Sequence, residues 1–129
     1  MENFYDIIIA GGGLSSLVSS ALLSQNFKVL VIDPDAYPRH KMCGEYLSTE
    51  IEPIINFLGI DLKKLSDVEI SKFCFTRGSQ RIQTSQLPLG GIGISRYTLD
   101  NALYKKAKEK TTFIPVSYTH LTLPTICSV

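Results

Sequence analysis

The chain has no excess of charge of either sign. Its 13 Lys and Arg residues against 12 Asp and Glu give a formal net charge of +1 over 129 residues. A surface so balanced cannot neutralise a phosphate backbone, which leaves nucleic-acid binding without electrostatic support. Like-charge runs are missing too: Lys105, Lys106, Lys108 and Lys110 carry Glu109 among them and read as a solvated helix face. Cysteine is sparse. Cys43, Cys74 and Cys127 form no C-x-x-C pair and no metal-ligand spacing, so no metal site is expected. An odd, sparse set without a secretory signal fits a reducing, cytoplasmic setting. Long uninterrupted apolar runs are absent as well. Ile7 to Leu23 comes nearest, yet Glu2 and Asp6 stand where a basic n-region would be. Gly11 to Gly13 and Ser15, Ser16, Ser19 and Ser20 interrupt the run. A membrane span needs about 20 mostly apolar residues, and no transmembrane segment is expected.

What is present is an ordinary globular composition, 44% hydrophobic and 19% charged, in a length that suits one small domain. YDIIIA, Tyr5 to Ala10, is a short β-branched run ending at glycine and predicts a buried strand. Leu14, Leu17, Val18, Ala21 and Leu22 fall at helical spacing over 14–25, with Asn26 as the stop. KVLVID, Lys28 to Asp33, predicts a second buried strand, parallel to the first with a right-handed crossover. A loop from Pro34 to about Leu47 follows. Thr49 and Glu52 have the spacing of a capping box, and the next helix should turn Ile51, Ile54, Ile55 and Leu58 inward and stop at Gly59. Val68 to Thr76 and Arg81 to Leu87 predict a hairpin around Gly78 and Ser79, and Gly90, Gly91 and Gly93 a loop before a short strand. Thr98 to Lys110 predicts an amphipathic helix with Leu99, Ala102, Leu103 and Ala107 inward, and Thr112 to Ile114 the start of another strand.

The glycine turn carries the chemistry. Gly11 and Gly13 follow a strand and open a helix, and Asp33 ends the next strand, 22 residues after Gly11. That is a dinucleotide-binding fingerprint in its required context, a Rossmann-like βαβ unit. Gly11 permits the tight turn. Gly13 removes a Cβ so that backbone can approach a pyrophosphate, and the helix N-terminus offers N–H groups and a positive dipole end. Asp33 can accept hydrogen bonds from ribose hydroxyls and would repel a 2′-phosphate. The third small position is Ser16 instead of Gly or Ala. A P-loop is excluded, since no G-K-[ST] is present. The fingerprint does not separate FAD from NAD.

YDIIIAGGGLSSL, VLVIDPD, YPRHKMCGEYLS and GGIGISRYTLDNALYKKA together resemble flavin-dependent oxidoreductases of the geranylgeranyl reductase and aromatic hydroxylase superfamily. Within it they are most similar to the bacterial geranylgeranyl-reductase-like members. The similarity covers about residues 3–115, and K-x-C-G-E and S-R-x-x-L-D are its more discriminating elements. The resemblance implies FAD as cofactor, held by Gly11, Gly12, Gly13, Leu14, Ser15, Ser16, Asp33 and Pro34. It also implies a flavin-wrapping loop carrying Arg39, Lys41, Met42, Cys43 and Gly44. Cys43 is the candidate catalytic residue near the isoalloxazine; a small buried thiol is the alternative. Arg96 implies a cofactor contact; the alternative is a brace on its own helix through Asp100. Cys74, between Phe73 and Phe75, reads as core packing, and Glu45 and Tyr46 as candidate cavity lining. The implied reaction is reduction of double bonds in a hydrophobic isoprenoid, with NAD(P)H or another electron donor. The alternatives are a monooxygenase or halogenase acting on an aromatic substrate, and an inactive dinucleotide-binding module.

VSYTHLTLPT, Val116 to Thr125, resembles a translated sequencing-library adapter, with Ile126, Cys127 and Ser128 as its barcode. Residues 116–129 are accordingly expected to be non-native, and 1–115 to be the incomplete N-terminal part of an FAD-binding domain.

Overall fold

A computed structural model describes residues 4–116; the adapter-like stretch, Val116 apart, lies outside them. The described chain divides into two compact units, 4–36 with 107–116, and 37–106.

The first unit is an α/β layer. β1 (Ile7–Ala10), α1 (Leu14–Leu23), β2 (Val29–Ile32) and β6 (Thr112–Ile114) build a parallel sheet in the order β1-β2-β6. Ile7 pairs with Val29, Ala10 with Ile32, and Ile32 in turn with Ile114. Leu17 and Ala21 of α1 are buried with Val29, Leu30 and Val31. The Asp6 carboxylate accepts from the Lys28 N–H at 2.6 Å, and the Lys28 carbonyl accepts from the Asp6 N–H at 2.9 Å, which clamps the strand starts together. Thr111 Oγ donates to the Ser20 carbonyl at 3.3 Å and ties the entry of β6 to α1. One sequence expectation fails here. β1 is apolar throughout, yet its burial alternates and Ile8 is 60% exposed. The side chains of Ile7 and Ile9 point to one face, those of Ile8 and Ala10 to the other, and only the first set is sheltered.

The second unit is built on an antiparallel ladder. It holds β3 (Tyr46–Ser48), a 3-10 turn (Thr49–Ile51), α2 (Glu52–Phe57), α3 (Leu62–Leu65), β4 (Glu69–Arg77) and β5 (Gln80–Gly93), with sheet order β3-β5-β4. α4 (Arg96–Lys108) follows. Ile55, Leu58, Leu62, Ile92, Ile94, Leu99 and Leu103 are buried, whereas Ile54 faces solvent. α2 stops at Gly59, whose φ of 77° suits glycine.

Three details correct the sequence reading. No capping box forms: Ser48 Oγ accepts from the Glu50 N–H, while the Thr49 hydroxyl donates to the Leu89 carbonyl at 2.5 Å. The Gly90, Gly91 and Gly93 stretch is not a loop but the end of β5, paired with β3 through Ser48–Gly91, Leu47–Ile92 and Tyr46–Gly93. Cys74 is exposed, not core, because both faces of the hairpin around it are bare. Between Ile70–Gly91 and Lys72–Gln86, β5 carries four residues, Leu87 to Gly90, against the single Ser71 of β4. That bulge is fastened by the Tyr46 hydroxyl, which donates to the Gly90 carbonyl at 3.0 Å.

Gly91 is glycine because Tyr46 lies on it: an added Cβ would sit 2.1 Å from Tyr46 Cε2 and 2.9 Å from the Leu47 carbonyl oxygen. Gly91→Ala is expected to destabilise the chain by about 1–3 kcal/mol. Gly44→Ala, where no atom lies within 4 Å of the added Cβ, should stay within about 0.5 kcal/mol of the parent. Denaturant melts of both variants check the contrast.

Candidate functional site

The glycine turn of the first unit is set by strand register. With Ala10 opposite Ile32, the next residues meet: the Gly11 N–H donates to the Ile32 carbonyl at 2.8 Å, and the Gly12 N–H donates to Asp33 Oδ2 at 2.5 Å. Asp33 Oδ1 accepts from the Asp35 N–H at 2.9 Å. Asp33 thus holds the turn as well as facing it, a role its spacing did not reveal. Gly11 has φ 93° and needs glycine for backbone reasons.

Gly13 is different. Its φ is −77° and ψ −178°, ordinary extended backbone, and no atom lies within 4 Å of a Cβ added there. Neither conformation nor packing asks for glycine at this position. Gly13 is also the N-cap of α1, which has no side-chain cap and no acidic residue in its first turn. Leu14, Ser15 and Ser16 are that first turn, with Ser15 exposed. Pro34 is exposed just beyond β2.

The second unit brings the two discriminating elements together although they are some fifty residues apart in sequence. K-x-C-G-E runs straight into β3 and S-R-x-x-L-D straight out of β5, so the β3–β5 pairing makes them neighbours. The Ile94 N–H donates to the Glu45 carbonyl at 2.8 Å. Ser95 caps α4, its Oγ accepting from the Thr98 N–H at 3.2 Å. Arg96 opens the helix. Its Nε and Nη2 donate to Asp100 Oδ1 and Oδ2 at 2.8 and 2.9 Å, so the brace through Asp100 is present. Hydrogen bonding to Asp100 raises the Arg96 pKa above its ordinary value; burial opposes this, and the Asp100 charge and then Cys43 add to it. The raised pKa keeps the Arg96 guanidinium charged until strong alkali.

Cys43 is exposed, which removes the buried-thiol alternative. Lys41, Met42 and Gly44 are exposed beside it. Tyr46 packs on Gly91, and Glu45 takes φ 57°. Sequence reading missed the two ring stacks that fasten this loop to α4: Tyr37 on Tyr104 at 4.3 Å, and His40 on Tyr97 at 4.7 Å. The Arg39 guanidinium lies 4.6 Å from the Tyr37 ring centre. Tyr97 and Tyr104, two helical turns apart on one face, were the available signal. A cavity of about 510 Å³ beside the β5 bulge, lined by Glu52, Lys63, Glu69 and Leu89 among others, includes none of the sequence-predicted residues. Among the described residues no His, Cys, Asp and Glu cluster could hold a metal, and no helix is long and apolar enough to cross a membrane.

No family model matches the chain. A curated protein of Dictyostelium discoideum, conditioned medium factor receptor 1, is 30% identical over 78 residues, 60% of this chain and 15% of that protein. The flavin-dependent brominase Bmp2 superposes with a TM-score of 0.71 at 21% identity, over 86% of this chain and 29% of the brominase. Halogenase PltM, solved with phloroglucinol and FAD, gives 0.72 at 19% identity, over 94% and 30%. The tetrameric form of 2-methyl-3-hydroxypyridine-5-carboxylic acid oxygenase gives 0.70 at 20%, over 84% and 30%. The chain spans under a third of each of these structures.

Removing one ring of a stack loosens the loop without unfolding the unit. Tyr104→Ala is expected to cost about 1 kcal/mol and to speed amide exchange selectively over residues 37–44, as read by hydrogen–deuterium exchange. Unchanged exchange there would show that the stack does not hold the loop. Together with the superpositions, the parallel βαβ layer, its glycine turn and its acid-ended second strand give this chain the Rossmann-like fold found in flavin-dependent halogenases.

Proposed function

We propose that the chain is the FAD-binding portion of a flavin-dependent oxidoreductase. One observation carries the proposal: Gly13 leaves open a space that the fold does not use, at a helix N-terminus with no side-chain cap. A diphosphate approaching that helix end is the ligand for which a missing Cβ matters. Gly11, Gly12, Gly13, Leu14, Ser15 and Ser16 would cradle it. Asp33 accepts from the Gly12 and Asp35 N–H groups, and a carboxylate at the end of the second strand is the group that would accept from the ribose hydroxyls. Its charge would reject a 2′-phosphate. The fold likeness to halogenase PltM, solved with FAD, supports FAD over NAD.

Arg39, Lys41, Met42, Cys43, Gly44 and Arg96 are proposed as further cofactor contacts on their motif positions. Bound FAD would supply hydride or oxygen chemistry, and the protein would orient it and shape the substrate pocket. For the reaction, halogenation or hydroxylation of a small aromatic substrate is favoured over isoprenoid reduction, since a brominase, a halogenase and an oxygenase share the fold. Isoprenoid reduction rests on the K-x-C-G-E and S-R-x-x-L-D elements alone. In a longer polypeptide carrying residues 1–115, NAD(P)H-dependent oxygen uptake with an aromatic substrate would support the first, and double-bond reduction without oxygen uptake the second.

Gly13→Ala discriminates a ligand site from a structural turn. FAD affinity, followed by flavin fluorescence, should fall at least about tenfold, roughly 1.4 kcal/mol, while the melting midpoint stays where it was. An unchanged affinity would remove the main support for the proposal.

A further inference from the structure

We propose that Asp100 is a positioning residue that holds the Arg96 guanidinium in one plane, so that its Nη1 end serves as the donor to the bound cofactor. The inference rests on Arg96 being a cofactor contact. Asp100 is completely buried while the Arg96 side chain keeps 18% of its surface. An i,i+4 pair that serves helix stability alone stands in solvent, where it contributes little. Burying the carboxylate removes it from water, a cost that two parallel bonds to one guanidinium offset only in a fixed geometry. That geometry is present: Nε and Nη2 are both engaged, at 2.8 and 2.9 Å, and Nη1 is left outside the pair.

The surrounding groups fit a held donor better than a free charge. Ser95 fixes the first turn of α4 through the Thr98 N–H, so Arg96 starts from a defined backbone. The Cys43 side chain meets the same guanidinium from the K-x-C-G-E element. With Asp100 bound, the pair carries no net charge, and what it offers is directed hydrogen bonding instead of long-range attraction.

A double-mutant cycle on FAD affinity tests this in the full chain, with Arg96→Ala, Asp100→Ala, Asp100→Asn and the Arg96→Ala/Asp100→Ala double variant. Melting midpoints are recorded alongside, and Asp100→Asn keeps the side-chain volume should Asp100→Ala fold poorly. The inference expects Asp100→Ala and Asp100→Asn to weaken FAD binding about fivefold, the scale of freeing one long side chain, and expects Asp100→Ala to have less than about twofold effect once Arg96 is gone. Additive losses in the double variant would overturn it while leaving the flavin reading intact. So would tighter binding by Asp100→Asn, which would show that charge, not direction, sets the affinity. An Arg96→Ala variant that binds FAD like the parent overturns the Arg96 contact and this inference with it. A parent chain that binds no FAD overturns the flavin reading itself.

Discussion

The glycine turn depends on a single constraint, the parallel register of β1 on β2. Ala10 opposite Ile32 places Gly11 and Gly12 beside Asp33, and two backbone donors of the turn are then satisfied by β2 and its terminal acid. A slip of one residue would invert every side chain of the strand and separate the acid from the turn. The register is kept by sheltered Ile7 and Ile9 against Val29 and Val31, and by the Asp6–Lys28 clamp at the strand starts. Packing, register and the acid's position are therefore one decision. The openness at Gly13 is its by-product: once the turn is closed at Gly11 and Gly12, the chain leaves for α1 in ordinary geometry with nothing crowding the next residue.

The second unit solves a similar problem with an antiparallel ladder. β3 is three residues long, yet its pairing with the end of β5 joins K-x-C-G-E to S-R-x-x-L-D. Gly91 permits it by accepting the Tyr46 ring, and the Tyr46 hydroxyl then fastens the bulge of β5. Two ring stacks extend the same organisation to the preceding loop. A loop that would otherwise be held only at its ends is thereby attached along a helix face.

Much of this was legible in the sequence, for physical reasons. β1, α1, β2, α4 and β6 announce themselves by period and by apolar content, and the acid at Asp33 by spacing. β3 was not legible, because three residues with one polar member give no period. The end of β5 was misread because glycine usually punctuates, whereas here Gly91 and Gly93 admit Tyr46 and Val68 at close range. Thr49 and Glu52 had the right spacing for a cap, but Ser48 stood one position earlier and took the role. Burial was the least legible property. Ile8 and Cys74 sit in apolar runs and are nevertheless exposed, since a run reports the composition of a strand and not whether both faces find cover. The Arg96–Asp100 pair was readable as an i,i+4 option; its burial was not.

On the proposed flavin reading, the first unit binds the adenosine diphosphate end of FAD at the glycine turn. Displacement of bound FAD by fragments tests it most directly. ADP is expected to displace FAD and FMN is not, and a 2′-phosphorylated adenosine diphosphate should compete far more weakly because it meets the Asp33 carboxylate. Displacement by FMN with none by ADP, or equal competition from the 2′-phosphorylated form, would contradict that reading.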